Sequence, residues 1–87
     1  MKHNLLLQEQ LDKVKPAVRQ EMEWSCAIVD KIYALMKQKG MTQRELASRI
    51  GCNEAQITRW TRGFPNYTLT SLAKLSDALG EPLIRIC

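Results

Sequence analysis

The sequence predicts an all-α domain, a bundle of about five helices followed by a short C-terminal strand. Three observations predict it. Apolar residues recur every three or four positions through most of the chain, which is the helical period. The four glycines, at 40, 51, 63 and 80, each follow such a run. Thr42 with Glu45, and Asn53 with Gln56, have the spacing by which side chains cap a helix N-terminus. At 87 residues there is one domain with a modest core. It divides into an arm (1–16), a helical core (17–80) and a terminal strand (81–87).

Residues 4–14 carry Leu7, Leu11 and Val14 at helical spacing, with Leu5 and Leu6 nearby. A short helix is expected, packed on the domain or on a second subunit, because a helix of this length is not stable alone. Pro16 interrupts the chain or opens the next helix, whose first turn tolerates proline. From Ala17 to Lys39 there is no glycine or proline. Val18, Met22, Cys26, Val29, Ile32 and Met36 form the apolar stripe of one long helix, widened by Ile28 and Leu35. Lys37 and Lys39 suit the negative end of its dipole. Trp24 and Tyr33 lie off the stripe and either cover the core edge or meet a partner.

Thr42 to Gly63 then reads as two short helices around a sharp turn. Thr42 and Glu45 form a capping box, and Leu46, Ala47 and Ile50 share one face. Gly51 sits where the chain must turn. Asn53 caps the second helix, Ile57 and Trp60 supply its apolar face, and Gly63 ends it. The turn from Ile50 to Asn53 is too tight for parallel helices, so they cross steeply as a helix-turn-helix. The loop Phe64-Pro65-Asn66-Tyr67 follows, with Phe64 expected in the core. Thr68 caps a last helix to about Leu79, with Leu69, Leu72, Leu75 and Leu79 inward. After Pro82, Leu83 to Cys87 is β-prone. A lone strand must pair its backbone groups, and pairing across a dimer axis is the expectation.

The net charge of +4 is concentrated. Residues 37–62 hold Lys37, Lys39, Arg44, Arg49, Arg59 and Arg62 against Glu45 and Glu54, so this stretch carries the whole excess. A polyanionic partner fits that asymmetry. No apolar run approaches the roughly 20 residues of a membrane span. Leu5-Leu6-Leu7 is too short for a signal-peptide core and is followed by Glu9 and Asp12, so a cytoplasmic location is expected. Cys26, Cys52 and Cys87 have no metal-binding spacing, and His3 is the one histidine. They read as reduced thiols, with Cys52 in the turn beside the basic surface. No metal or cofactor is expected. No nucleophile–base constellation or glycine-rich phosphate loop is present in the sequence, so no enzymatic activity is expected.

Thr42, Gln43, Glu45, Leu46, Ala47, Gly51, Ile57 and Gly63 together resemble the helix-turn-helix of the XRE family, the Cro/cI-type, lambda-repressor-like DNA-binding proteins. The resemblance extends more loosely over residues 20–80 and does not reach the first 19. It implies that residues 54–62 read the major groove. The family's base-reading positions fall on Glu54, Ala55 and Arg59, and Thr58 shares their outward face. Arg59 suits guanine O6 and N7, and Ala55 a thymine methyl. Glu54 stands where glutamine or serine is frequent, and either accepts from cytosine N4 or supports the helix N-terminus. Gln43 is implied as a phosphate ligand. Asn53, which also caps the helix, and Gln56 at its rim are expected to contact phosphates on one side of the reader, and Arg62, Asn66 and Tyr67 to follow the phosphate backbone on the other. Arg44 and Arg49 are weaker candidates that raise the local potential. The partners expected are double-stranded DNA on a near-palindrome and a second copy of the chain, with no membrane. The function implied is a dimeric repressor. The alternative is an antitoxin, whose further partner is a toxin protein and which binds its own operator.

Overall fold

A computed structural model of the chain describes residues 15–62 and 65–86. Four helices lie among them: α1 (Pro16–Lys39), α2 (Gln43–Ile50), α3 (Glu54–Thr61) and α4 (Leu69–Leu79). The expected arm helix at 4–14, with Gly63, Phe64 and Cys87, lies outside the described residues.

α1 opens on Pro16, a first-turn position where its missing N–H forfeits no bond. It closes with Gly40 in the left-handed region (φ 62°). The Gly40 amide donates to the Lys37 carbonyl (3.2 Å) and that of Met41 to Met36 (2.9 Å), the paired bonds of a Schellman stop. Met36 and Met41 are both buried at this corner.

The buried stripe of α1 differs from the expected one. It runs through Ser25, Ile28, Ile32, Leu35 and Met36. Val18 and Cys26 are exposed, and Met22 and Val29 only partly covered. Facing accounts for Cys26, which lies between the buried Ser25 and Ile28 but points off their face, and length accounts for Val18. A helix of 24 residues spans about 36 Å, whereas α2 and α3, of eight residues each, span about 12 Å. The short helices cover only the C-terminal part of α1. The stripe's polar member, Ser25, is buried because its hydroxyl donates to the Pro65 carbonyl at 2.8 Å.

The capping box at Thr42 is formed in both directions. The Glu45 amide donates to Thr42 Oγ1 (3.1 Å), and the Thr42 amide to Glu45 Oε1 (3.4 Å). Gly51 takes φ 86°. A Cβ there would meet nothing within 4 Å, so backbone conformation and not crowding calls for glycine. The Gly51 and Cys52 amides both return to the Ala47 carbonyl, at 2.8 and 3.0 Å. Asn53 Oδ1 then accepts the Gln56 amide at 2.9 Å and starts α3. Thr68 caps α4 in the same way through the Ser71 amide (3.0 Å).

Each helix contributes to one core. Ile32, Leu46, Ile57, Leu75 and Leu79 are fully buried, at roughly 1.5–3 kcal/mol each for removal from water. Leu69 does not join them. It is 75% exposed, because the first residue of α4 precedes the turn at which Leu72 meets the core. The expected C-terminal strand is not formed among the described residues, where 81–86 is irregular. Among the described residues it finds no neighbour to pair with. It is pinned instead at Leu83, whose side chain is buried and whose amide donates to Ser76 Oγ at 3.0 Å. Among the described residues, no helix is long and apolar enough to cross a membrane.

Candidate nucleic-acid interface

The site is built on α2 and α3. Ile57 is buried in the core and Trp60 and Cys52 pack partly against it. Half a helical turn away, Ala55 and Arg59 are exposed, as are Glu54 and Arg62. One face of α3 is thus anchored and the opposite face is free.

Three hydroxyl groups fix α3 to its surroundings. In its middle, Thr58 Oγ1 lies 3.1 Å from its acceptor, the Glu54 carbonyl, and 3.5 Å from Gln43 Oε1, which brings the first residue of α2 beside α3. At its end the C-cap position is Arg62. Arg62 leaves the helix in an extended conformation (φ −127°). The last carbonyls are satisfied from elsewhere: Tyr67 donates its hydroxyl to Trp60 O, and Tyr33, from α1, donates to Thr61 O at 3.3 Å. Burial first, and the neighbouring Tyr33 second, push the Tyr67 phenol up to about 12. The Ser25–Pro65 bond ties the loop before Tyr67 to α1. This clamp by Tyr33, Tyr67 and Ser25 is absent from the expectations above. No local signal marks it, since it joins residues 28 and 40 positions apart.

The expected site residues are placed as follows. Arg59 is exposed and its Nη1 lies 3.5 Å from Gln56 Oε1. Glu54 lies on the surface 3.7 Å from Arg44 Nε, an ion pair worth little to stability that nevertheless gives the carboxylate a protein partner. Asn53 is exposed and occupied as a cap. Gln43, Gln56 and Thr58 are half-buried at the seam between the two helices. Asn66 and Arg62 are exposed beyond the far end of α3. Tyr67, expected on the DNA backbone, is half-buried and donates its hydroxyl to Trp60 O, bracing the end of the helix.

Lys37, Lys39, Arg44, Arg49, Arg59 and Arg62 are all exposed; the four arginines lie on or next to α2 and α3, whereas Lys37 and Lys39 end α1 and Lys39 reaches toward Gly80. Among the described residues, no three side chains of metal-ligating type come together. The arrangement offers donors at side-chain and helix-terminal positions around a protruding two-turn helix.

Residues 31–83 match the family model described as the Cro/C1-type HTH DNA-binding domain. The match takes in α2, α3, α4 and the last turns of α1. No curated protein and no solved structure matches the chain.

Proposed function

The chain belongs to the Cro/C1-type helix-turn-helix family of DNA-binding transcription regulators, and from that premise we propose that it is a dimeric repressor reading the major groove with residues 54–62. The observation that carries this reading is the division of α3 into a buried face on Ile57 and an exposed face on Ala55 and Arg59.

Phosphate contacts give affinity and register, and base-edge contacts give sequence choice. Arg59 carries two parallel donors for guanine, and Gln56 beside it restrains the guanidinium. Ala55 offers a methyl to thymine. The Arg44 partner favours Glu54 as a support of the reading helix over Glu54 as a cytosine acceptor. Thr58 faces the groove at the seam with its acceptor lone pairs. Gln43 Oε1 lies 3.5 Å from Thr58 Oγ1, and its NH₂ group is turned to a phosphate in this reading. Asn53, Gln56, Arg62 and Asn66 extend the phosphate contacts to both flanks. In this reading the working protein is cytoplasmic and needs no catalytic step.

One module reads only a few base pairs, and a two-fold pair doubles the site with half-sites about 34–36 Å apart. Selection from a random duplex pool with the full chain tests the reading. The expected product is a near-palindrome with that spacing. Recovery of no enriched sequence overturns it.

A further inference from the structure

The first turns of α1 extend past the short helices packed on it. Val18 is 43% exposed there and Trp24 64%. Beside Trp24, between α1, α4 and the C-terminal segment, lies an apolar groove of about 620 Å³, lined among others by Ala27, Ile28, Leu72, Ile84 and Ile86. Its outer wall is bare, with Ile86 88% exposed. The groove lies on the flank of α1 away from α3. Lys31, which also lines it, is roughly 200° around the helix from Tyr33, whose hydroxyl reaches the end of α3.

We propose that the occupant of this groove is residues 4–14 of the same chain, seated as a helix against the first turns of α1. Three observations commit it to that segment. The first is pattern. Leu7, Leu11 and Val14 share one helical face, with Leu5 and Leu6 beside it, and a helix this short needs an apolar surface in order to form. The acidic Glu9 and Asp12 fall off that stripe, so no carboxylate enters the groove. The second is direction. Lys15 is extended (φ −58°, ψ 141°), as a residue before proline is, so the chain leaves the axis of α1 at that point. The third is reach. As a helix, residues 4–14 span about 16 Å, and doubled back from Lys15 that length ends about level with Ala27. Leu11 and Val14 then pass over Val18 and Met22, and Leu5 to Leu7 arrive at the groove beside Trp24.

The tether favours the chain's own segment over any other. A connection of a residue or two holds it at an effective concentration on the order of millimolar or above, which a second copy in dilute solution does not match. The inference does not depend on the DNA reading. It adds a helix to the four described, and it leaves the outward face of α3 open.

Amide hydrogen exchange of the full chain at micromolar concentration tests this. The amides of residues 8–14 are expected to exchange at least tenfold more slowly in the wild type than in Leu7→Asp/Leu11→Asp, at a rate unchanged on tenfold dilution. Trp24→Arg is expected to speed their exchange at least tenfold while the amides of α4 stay protected. Should that variant unfold the chain, Ile86→Arg, at an almost wholly exposed position, serves in its place. Wild-type amides at 8–14 that exchange as fast as those of an unstructured peptide overturn the proposal. Protection that survives the groove variant in a folded chain puts the segment elsewhere, and protection lost on dilution makes the occupant another copy's segment. Either result overturns it as well.

Discussion

Arg59 is the side chain on which sequence choice most depends in this reading. It is exposed, directed away from the core and loosely restrained by Gln56 at 3.5 Å. Arg59→Ala is expected to cost roughly 1–3 kcal/mol on the selected site and to relax one base position. Binding measured across single-base variants of that site checks it, and a uniform loss across all of them would make Arg59 a phosphate ligand instead. Tyr67 predicts the reverse pattern. Tyr67→Phe leaves the Trp60 carbonyl short of a donor, at about 1–2 kcal/mol of stability, without removing a base contact. Its phenol also carries a pH signature. The folded value, about 12, lies above the ordinary 10.0. The neutral hydroxyl therefore stabilises the fold fully below pH 10, and that contribution is lost as pH rises toward 12. Thermal melts of wild type and Tyr67→Phe between pH 9 and 12 are expected to converge.

At the scale of elements, much was legible because the signals are local. Thr42 with Glu45, and Asn53 with Gln56, are each three residues apart, and the structure forms both caps. Gly51 at the turn was equally readable. Gly51→Ala is expected to lower stability by about 1–2 kcal/mol through its left-handed backbone, despite open space for the methyl. Chemical denaturation measures this, and an unchanged midpoint would mean the turn can relax. Long-range features were not legible. Periodicity alone put Val18 and Cys26 on the buried stripe, when the lengths of the packing helices decide how far along α1 the cover reaches and the buried Ser25 and Ile28 show that it lies on another face than Cys26. Leu69 was misplaced because a leucine at a helix start has the same spacing as one inside it. The tyrosine clamp joins α1, α3 and the following loop, and only the assembled fold shows it. On the reading helix itself, the division between the inward Ile57 and the outward Ala55 and Arg59 followed from a single two-turn periodicity, and the structure keeps it.

For the whole molecule the governing quantity is charge. The net +4 of the chain lies within residues 37–62, and every basic side chain there is exposed. A protein making 6–10 phosphate contacts loses roughly 10³–10⁵ in affinity between 50 and 200 mM salt. In this reading the slope comes from the exposed lysines and arginines of residues 37–62 on each half-site, and the uncharged Gln43, Asn53, Gln56 and Asn66 add register without adding to it. Titration of labelled operator across this salt series checks the number of contacts, and a flat dependence would remove the electrostatic half of the reading.

The bracing of α3 from behind has a last consequence. The side chains that hold it, Ile57 and Thr61, share no position with those that face outward. The outward letters can therefore be rewritten while the chassis stays as it is. Exchanging Ala55 and Arg59 for other residues should redirect the protein to new operators at little expense to folding, whereas the same helix cut out and carried elsewhere without Tyr33 and Tyr67 would lose its hold at one end.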